Sequence, residues 1–206
     1  MSEQDQVKVA FGRVEAWLSK HAPMSYQALG APASEAEIAA AETGMNVAFP
    51  GELRALLGLH NGAEWCEVEG DEEGELNPAA FLPHGALYSL EQMRQAHTLY
   101  ANPGPGIGDA ALRTRVPWAG DDDGFYGLYV DTDGGQVGRF SNPPEFWPLP
   151  YETITGYLTA VADCLESGHG PFAEDSHKVP GLAAGCLLWE RPGAAAPTSV
   201  EWVPVR

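Results

Sequence analysis

A capping box at Ser34 and Glu37 is the feature that most constrains how this 206-residue chain can fold. The Ser34 hydroxyl can accept a backbone N–H three residues on, and the Glu37 carboxylate can reach back to the start of the helix. Ile38 and Met45 then follow at helical spacing, and Gly44 predicts the end of the helix. The sequence therefore predicts an amphipathic helix whose first turn is determined locally.

A second helix is predicted to begin at Pro50, because the first turn of a helix has no use for the missing N–H. The side chains expected on its buried face are Leu53, Leu56, Leu57 and His60. Asn61-Gly62 predicts a left-handed turn at its end. The sequence therefore predicts a pair of helices ahead of the region where strands are expected.

The remaining segments predict an α+β fold. Residues 3–21 carry a helical apolar stripe, and Thr153 caps an amphipathic helix that ends at Gly168. Between them, residues 125–130 and 136–140 form two strands joined by an aspartate- and glycine-rich hairpin loop. We therefore predict a single α+β domain with N-terminal helices, a central mainly antiparallel sheet and a C-terminal amphipathic helix.

The division of the chain follows from where these patterns end. Residues 1–170 are expected to form the α+β domain, because the regular spacing of apolar residues becomes loose after Gly170. Residues 171–206 are expected to be a C-terminal extension that can add strands near Leu187–Trp189 and Val200–Val203.

The charge of the chain limits the classes of partner. It has 11 Lys and Arg against 29 Asp and Glu, which gives a formal net charge of -18. A field of that sign repels nucleic-acid phosphates and anionic membranes and attracts basic proteins. The alternative is that the charge serves solubility alone.

The cysteines and the N-terminus indicate the compartment. Cys66, Cys164 and Cys186 form no C-x-x-C pair, and their odd number argues against a disulfide framework. The first residues are acidic and lack the basic-then-apolar pattern of a signal sequence. The longest apolar run is too short to span a bilayer. We expect a cytoplasmic protein without a metal or cofactor.

Three segments carry a family resemblance. They are Ser34-x-x-Glu37-Ile38 with Glu42, Phe49-Pro50-x-x-Leu53-Arg54-x-Leu56-Leu57-x-x-His60-Asn61-Gly62, and Val116-Pro117-Trp118-Ala119-x-Asp121-x-x-Gly124-x-x-x-Leu128-Tyr129-Val130-Asp131. In this order, and with the helix at 151–165, they resemble the SUKH superfamily over residues 30–165. That group includes a yeast cell-wall assembly regulator and bacterial immunity proteins against toxins. The resemblance implies a non-enzymatic protein that binds other proteins.

The predicted partner-binding residues lie in two acidic segments. They are Trp65, Glu67, Glu69, Asp71, Glu72, Glu73, Asp121, Asp122, Asp123 and Tyr126. The carboxylates would pair with a basic face, and Trp65 and Tyr126 would supply apolar anchors, because Trp and Tyr are frequent hot-spot residues. Two other interpretations apply to the acidic residues. The three aspartates at 121–123 could bind a cation, but the spacing favours a turn. Glu42 could be a general acid, but pairing with Arg54 or with backbone N–H groups is favoured.

Three hypotheses for function follow. The first is an immunity protein that occludes the basic active face of a toxin such as a nuclease or deaminase. The second is a regulatory or scaffolding protein that binds several partners. An acidic hydrolase comes last, because no pair of carboxylates is singled out by the sequence.

Overall fold

The computed structural model describes residues 2–71, 74–101, 111–141, 145–172, 177–191 and 200–205. The helices are α1 (Glu3–His21), α2 (Pro23–Gln27), α3 (Glu35–Met45), α4 (Gly51–Leu57), α5 (Leu90–Ala101), α6 (Ala111–Thr114) and α7 (Ile154–Ser167). The strands are β1 (Ala86–Leu87), β2 (Arg115–Gly120), β3 (Tyr126–Asp131), β4 (Val137–Ser141), β5 (Glu145–Pro148), β6 (Val179–Ala183), β7 (Cys186–Glu190) and β8 (Val203–Pro204). The α+β class predicted from the sequence is confirmed.

Local capping signals set the start of several helices. The Ser34 hydroxyl accepts the Glu37 N–H at 3.3 Å, and the Glu37 carboxylate accepts the Ser34 N–H at 2.7 Å, as the capping box predicts. Ser89 and Thr153 cap α5 and α7 in the same way, through their hydroxyl oxygens. The helix starts predicted at Ser34 and Thr153 are confirmed, and such caps are predictable because they depend only on residues three apart.

Two helix ends differ from the prediction. α3 continues through Gly44 to Met45, and Asn46 adopts the left-handed conformation (φ 54°) that ends it. α4 ends at Leu57, several residues before the expected turn at Gly62. Asparagine tolerates the left-handed region almost as glycine does, so Asn46 was an equally good stop signal.

The central sheet is antiparallel, with the strand order β1-β2-β3-β4-β5. β3 lies in the middle, as its apolar pattern on both faces predicts, and Leu128, Tyr129 and Val130 are buried. A side chain at Gly138 of β4 would collide with the Tyr129 ring, so this glycine lets the ring lie flat on β4. β5 was not predicted from the sequence.

The core lies between this sheet and the helices. The buried rings of Trp118 on β2 and Tyr157 on α7 pack edge to face with centroids 5.6 Å apart. α7 also lies against α1, where Arg13 pairs with Asp163 at 2.7 Å and Glu166 at 2.5 Å. The N-terminal helix therefore belongs to the same core as the predicted last helix.

A second antiparallel sheet, ordered β7-β6-β8, follows α7. It contacts the earlier elements through buried hydrogen bonds: the Leu187 N–H donates to the Ser25 hydroxyl at 2.9 Å, and the Trp189 indole N–H donates to the Phe81 carbonyl at 2.8 Å. β6 was not predicted. The boundary at residue 170 stays a prediction, although these contacts join both sides of it.

Candidate functional site

The turn between β2 and β3 carries the three consecutive aspartates. The Asp121 N–H donates to the Tyr126 carbonyl at 2.9 Å, and the Gly124 N–H donates to the Asp121 carbonyl at 3.1 Å. Gly124 has φ +70°, a conformation that glycine adopts without strain. The Tyr88 hydroxyl donates to the Asp121 carbonyl at 2.8 Å. The backbone of the turn is thus held by the sheet, and the three side chains are exposed.

The acidic segment 63–77 contains no regular strand or helix in its described part. Val68 and Leu76 are buried against Cys186 of β7, and this contact holds the segment on the second sheet. The Asp71 carboxylate accepts the backbone N–H groups of Glu75 at 3.1 Å and Leu76 at 2.7 Å. Asp71 therefore fixes the backbone at Glu75 and Leu76. Glu67 and Glu69 are exposed, and Glu72 and Glu73 lie outside the described residues.

One hydrogen bond joins the two acidic segments. The Asn77 side-chain NH₂ group donates to the Asp122 carboxylate at 2.9 Å, while the side-chain oxygen of Asn77 (Oδ1) accepts the Ala79 N–H at 3.0 Å. Asn77 thus connects the end of the acidic segment to the aspartate turn, 45 residues further along the chain. We call the exposed side chains of these two segments the acidic surface.

Exposed aromatic side chains accompany the acidic surface. Trp65 is 56% exposed and Tyr126 is 57% exposed, and both were predicted to point outward. The Trp65 indole N–H donates to the Leu76 carbonyl at 3.3 Å, which orients the ring. Phe125 is 47% exposed and was not among the residues predicted to bind a partner. Large exposed rings of this kind are favoured as interface anchors.

A cavity of about 400 Å³ opens beside the turn. Its lining includes Asp121 and Tyr126, and Trp189 and Glu190 of β7. Its polar lining also includes His84, Arg139 of β4 and Lys178, which directly precedes β6. Elements distant in the sequence therefore meet here, and the segment after residue 170 completes the cavity.

The electrostatics of the cavity follow from burial and from its two cations. Burial, with the charges of Arg139 and Lys178, lowers the pKa of His84 from 6.5 to about 3, so the imidazole is neutral at neutral pH. Its Nδ1 lies 3.0 Å from the Tyr157 hydroxyl. Burial and the neighbouring Asp123 raise the pKa of Asp121, while Lys178 opposes this change.

Glu42 and Asp123, which had alternative interpretations as a general acid and as part of a cation site, both accept hydrogen bonds within the fold. Glu42 accepts the Phe49 N–H at 2.7 Å and pairs with Arg54 at 2.5 Å, as favoured from the sequence. Asp123 accepts the Phe125 N–H at 3.2 Å within the turn. Among the described residues, no group of three or more His, Cys, Asp or Glu side chains is arranged to hold a metal ion.

Sequence reasoning missed the cavity residues His84, Arg139 and Lys178. They lie in three separate segments, and no local motif connects them. The signal present in the sequence is the scarcity of basic residues, 11 against 29 acidic ones, which makes each lysine and arginine a candidate for a specific role.

A comparison with family models places this geometry in context. The model described as the SMI1 / KNR4 family (SUKH-1) matches residues 32–167, from just before α3 to the end of α7. The chain belongs to the SMI1/KNR4 (SUKH-1) family. The match includes the β2–β3 turn and the acidic segment, and it leaves out α1, α2 and the second sheet. The resemblance predicted over residues 30–165 is thereby confirmed.

Membership of the SUKH-1 family supports a general protein-interaction or immunity-type role. The family is known for non-catalytic binding or immunity modules. No curated protein matches the chain. Within the described ranges, no helix combines the length and apolar character needed to cross a membrane.

Proposed function

We propose that this SUKH-1 protein is an immunity protein that binds a basic toxin domain, such as a nuclease or deaminase, and occludes its active face. The observation that carries the proposal is the Asn77–Asp122 hydrogen bond, because it joins two acidic segments beside exposed aromatic rings. The proposal also places the protein in the cytoplasm, in keeping with its three free cysteines.

Electrostatic attraction would act first. The net charge of -18 gives a long-range field that speeds encounter with a positively charged protein, and salt screens that field. Glu67, Glu69, Asp122 and Asp123 are exposed, so they can meet lysine and arginine side chains without a change of fold. The acidic surface would therefore govern the association rate more than the final affinity.

Apolar contact would then hold the complex. Trp65, Phe125 and Tyr126 present large rings next to the carboxylates, and buried Trp and Tyr side chains commonly contribute most of the binding energy of an interface. The backbone of the turn is held by Tyr88 and by β3, so these anchors would be positioned before the partner arrives.

A pull-down from the native host, washed at low and at high salt, tests the proposal. One stoichiometric basic partner that is retained at low salt and lost at high salt is expected. Many substoichiometric partners would instead favour the regulatory or scaffolding function, and recovery of no basic partner would contradict the proposal.

A matched pair of variants tests the role of the acidic surface against the partner so captured. The test variant combines Glu67→Gln, Glu69→Gln, Asp122→Asn and Asp123→Asn. The control removes the same charge from exposed positions elsewhere, through Glu3→Gln, Asp133→Asn, Glu152→Gln and Glu201→Gln. The association rate at low salt should fall about tenfold or more for the test variant and far less for the control. Equal rates for the two variants would show that net charge alone attracts the partner.

Alanine at Trp65 and at Tyr126 tests the anchors separately. Because both rings are exposed, each change should leave the free energy of unfolding within about 0.5 kcal/mol of the parent. Dissociation of the partner should accelerate about tenfold or more if the ring is buried in the interface. Unchanged dissociation would remove that residue from the proposed site.

A further inference from the structure

Two basic side chains converge on the cavity beside Asp121, in a chain where acidic residues outnumber basic ones by 29 to 11. Arg139 comes from β4, and Lys178 directly precedes β6. In the part of the chain that the structure describes, Arg139 has no carboxylate within ion-pair distance, whereas Arg13, Arg54 and Arg94 all do.

The fold holds the surroundings of these two cations in place. The Lys178 ammonium donates to the Pro83 carbonyl at 3.4 Å, and the Lys178 backbone N–H donates to the Phe172 carbonyl at 3.2 Å. The buried indole N–H of Trp189, another lining residue, donates to the Phe81 carbonyl at 2.8 Å. These hydrogen bonds tie the lining of the cavity to the rest of the fold.

We infer that this cavity binds a single carboxylate group between Arg139 and Lys178. A guanidinium can hold a carboxylate through two parallel N–H···O bonds, and an ammonium adds a third charged donor. The rings of Tyr126 and Trp189, with Leu188, offer an apolar surface to the carbon atoms next to the carboxylate. His84 is neutral at neutral pH, so it adds no charge to the site.

The same surroundings disfavour a doubly charged anion such as phosphate. Asp121 and Glu190 also line the cavity, and the whole chain is strongly negative. Each additional negative charge on the ligand therefore meets repulsion that a monoanion largely avoids. The carboxylate can be that of a free small molecule or the terminal group of a polypeptide partner. The inference rests on the proposed function only if the carboxylate belongs to a polypeptide partner.

NMR titration of the full-length ¹⁵N-labelled protein tests the site without any partner. N-acetyl-leucine imitates the carboxyl end of a chain, N-acetyl-leucinamide is its uncharged match, and acetate represents a free small carboxylate. N-acetyl-leucine should cause saturable shifts at Gly127, Arg139, Lys178 and Leu188, with a dissociation constant on the order of millimolar. The amide should bind about tenfold more weakly or not at all, because it cannot form the charged pair.

Variants identify the groups responsible. Arg139→Gln and Lys178→Gln should each weaken N-acetyl-leucine about tenfold, whereas Arg94→Gln, which removes an exposed arginine of α5, should leave its binding unchanged. Stronger binding of N-acetyl-leucine than of acetate would indicate a polypeptide end, and equal binding would indicate a free carboxylate.

Three outcomes would overturn the inference: equal binding of acid and amide, tighter binding of inorganic phosphate than of N-acetyl-leucine, or no saturable shift with either carboxylate. None of these results affects the pull-down of a basic partner, so failure of this inference is distinguishable from failure of the proposed function.

Discussion

The Glu52 carboxylate accepts the backbone N–H of Ile154 at 2.9 Å, although the two residues lie 102 positions apart. It also accepts the hydroxyl of Thr155 at 2.6 Å. Glu52 belongs to the first turn of α4 and Ile154 begins α7, so a buried acid on one helix satisfies the N-terminus of another. Helix α4, which lies within the family match, is thereby tied to α7.

Replacing Glu52 with alanine should lower the free energy of unfolding by about 2–4 kcal/mol, because buried N–H groups of α7 lose their acceptor. Urea denaturation followed by circular dichroism measures this. Glu67→Ala is the control, since it makes the same type of substitution at an exposed glutamate. It should change the free energy of unfolding by less than about 0.5 kcal/mol. Similar losses in both variants would mean that Glu52 does not cap α7.

His84 should make the protein less stable as the pH falls. Its pKa is about 3 in the folded state against an ordinary 6.5, so below pH 6.5 the unfolded chain binds the proton more tightly. Stability attributable to neutral His84 is therefore complete above its unfolded pKa and is lost progressively toward its folded pKa. Between about pH 7 and about pH 5 the loss should be about 2 kcal/mol.

Urea denaturation at the two pH values, in the parent protein and in His84→Gln, measures this contribution. The variant should lose about 2 kcal/mol less than the parent between about pH 7 and about pH 5, whatever its stability at neutral pH. His169→Gln is the control, because His169 is exposed and its removal should leave the pH dependence as in the parent. An unchanged pH dependence in His84→Gln would show that His84 is accessible to protons in the folded state.

Trp189→Phe should destabilise the protein by about 1–3 kcal/mol, because the Phe81 carbonyl would remain buried without its indole donor. Thermal unfolding monitored by circular dichroism measures the change. Trp147→Phe provides the comparison, since Trp147 of β5 is 42% exposed and its replacement should cost less than about 0.5 kcal/mol. Unchanged stability in Trp189→Phe would show that the hydrogen bond from the indole to the Phe81 carbonyl contributes little.

The three free cysteines should differ in reactivity. Burial raises the pKa of Cys164 to about 11 and that of Cys186 to about 12, whereas Cys66 is partly exposed. A thiol-exchange reagent at about pH 8 should therefore modify one thiol quickly in the folded protein and all three after unfolding. Cys66→Ser should abolish the fast reaction. A fast reaction that survives in Cys66→Ser would show that a buried cysteine becomes exposed.

Features that depend on nearby residues were predictable from the sequence. The capping box at Ser34, the aspartate turn at 121–123 and the cap at Thr153 each need only a few consecutive side chains. The pairing of Glu42 with Arg54 was also anticipated, because both lie in neighbouring predicted helices. The end of α3 at Asn46 was missed, because Gly44 is also a typical stop signal and predicts an earlier end of the helix. In the structure α3 continues through Gly44 to Met45.

The sequence by itself determined the α+β class, the family and the charge, because periodicity, composition and turn chemistry act over short distances. Only the tertiary structure decided that Glu52 caps α7, that Asn77 reaches Asp122, and that Arg139 and Lys178 line one cavity. These contacts join residues brought together by the packing of whole elements, and no local pattern in the chain encodes that placement.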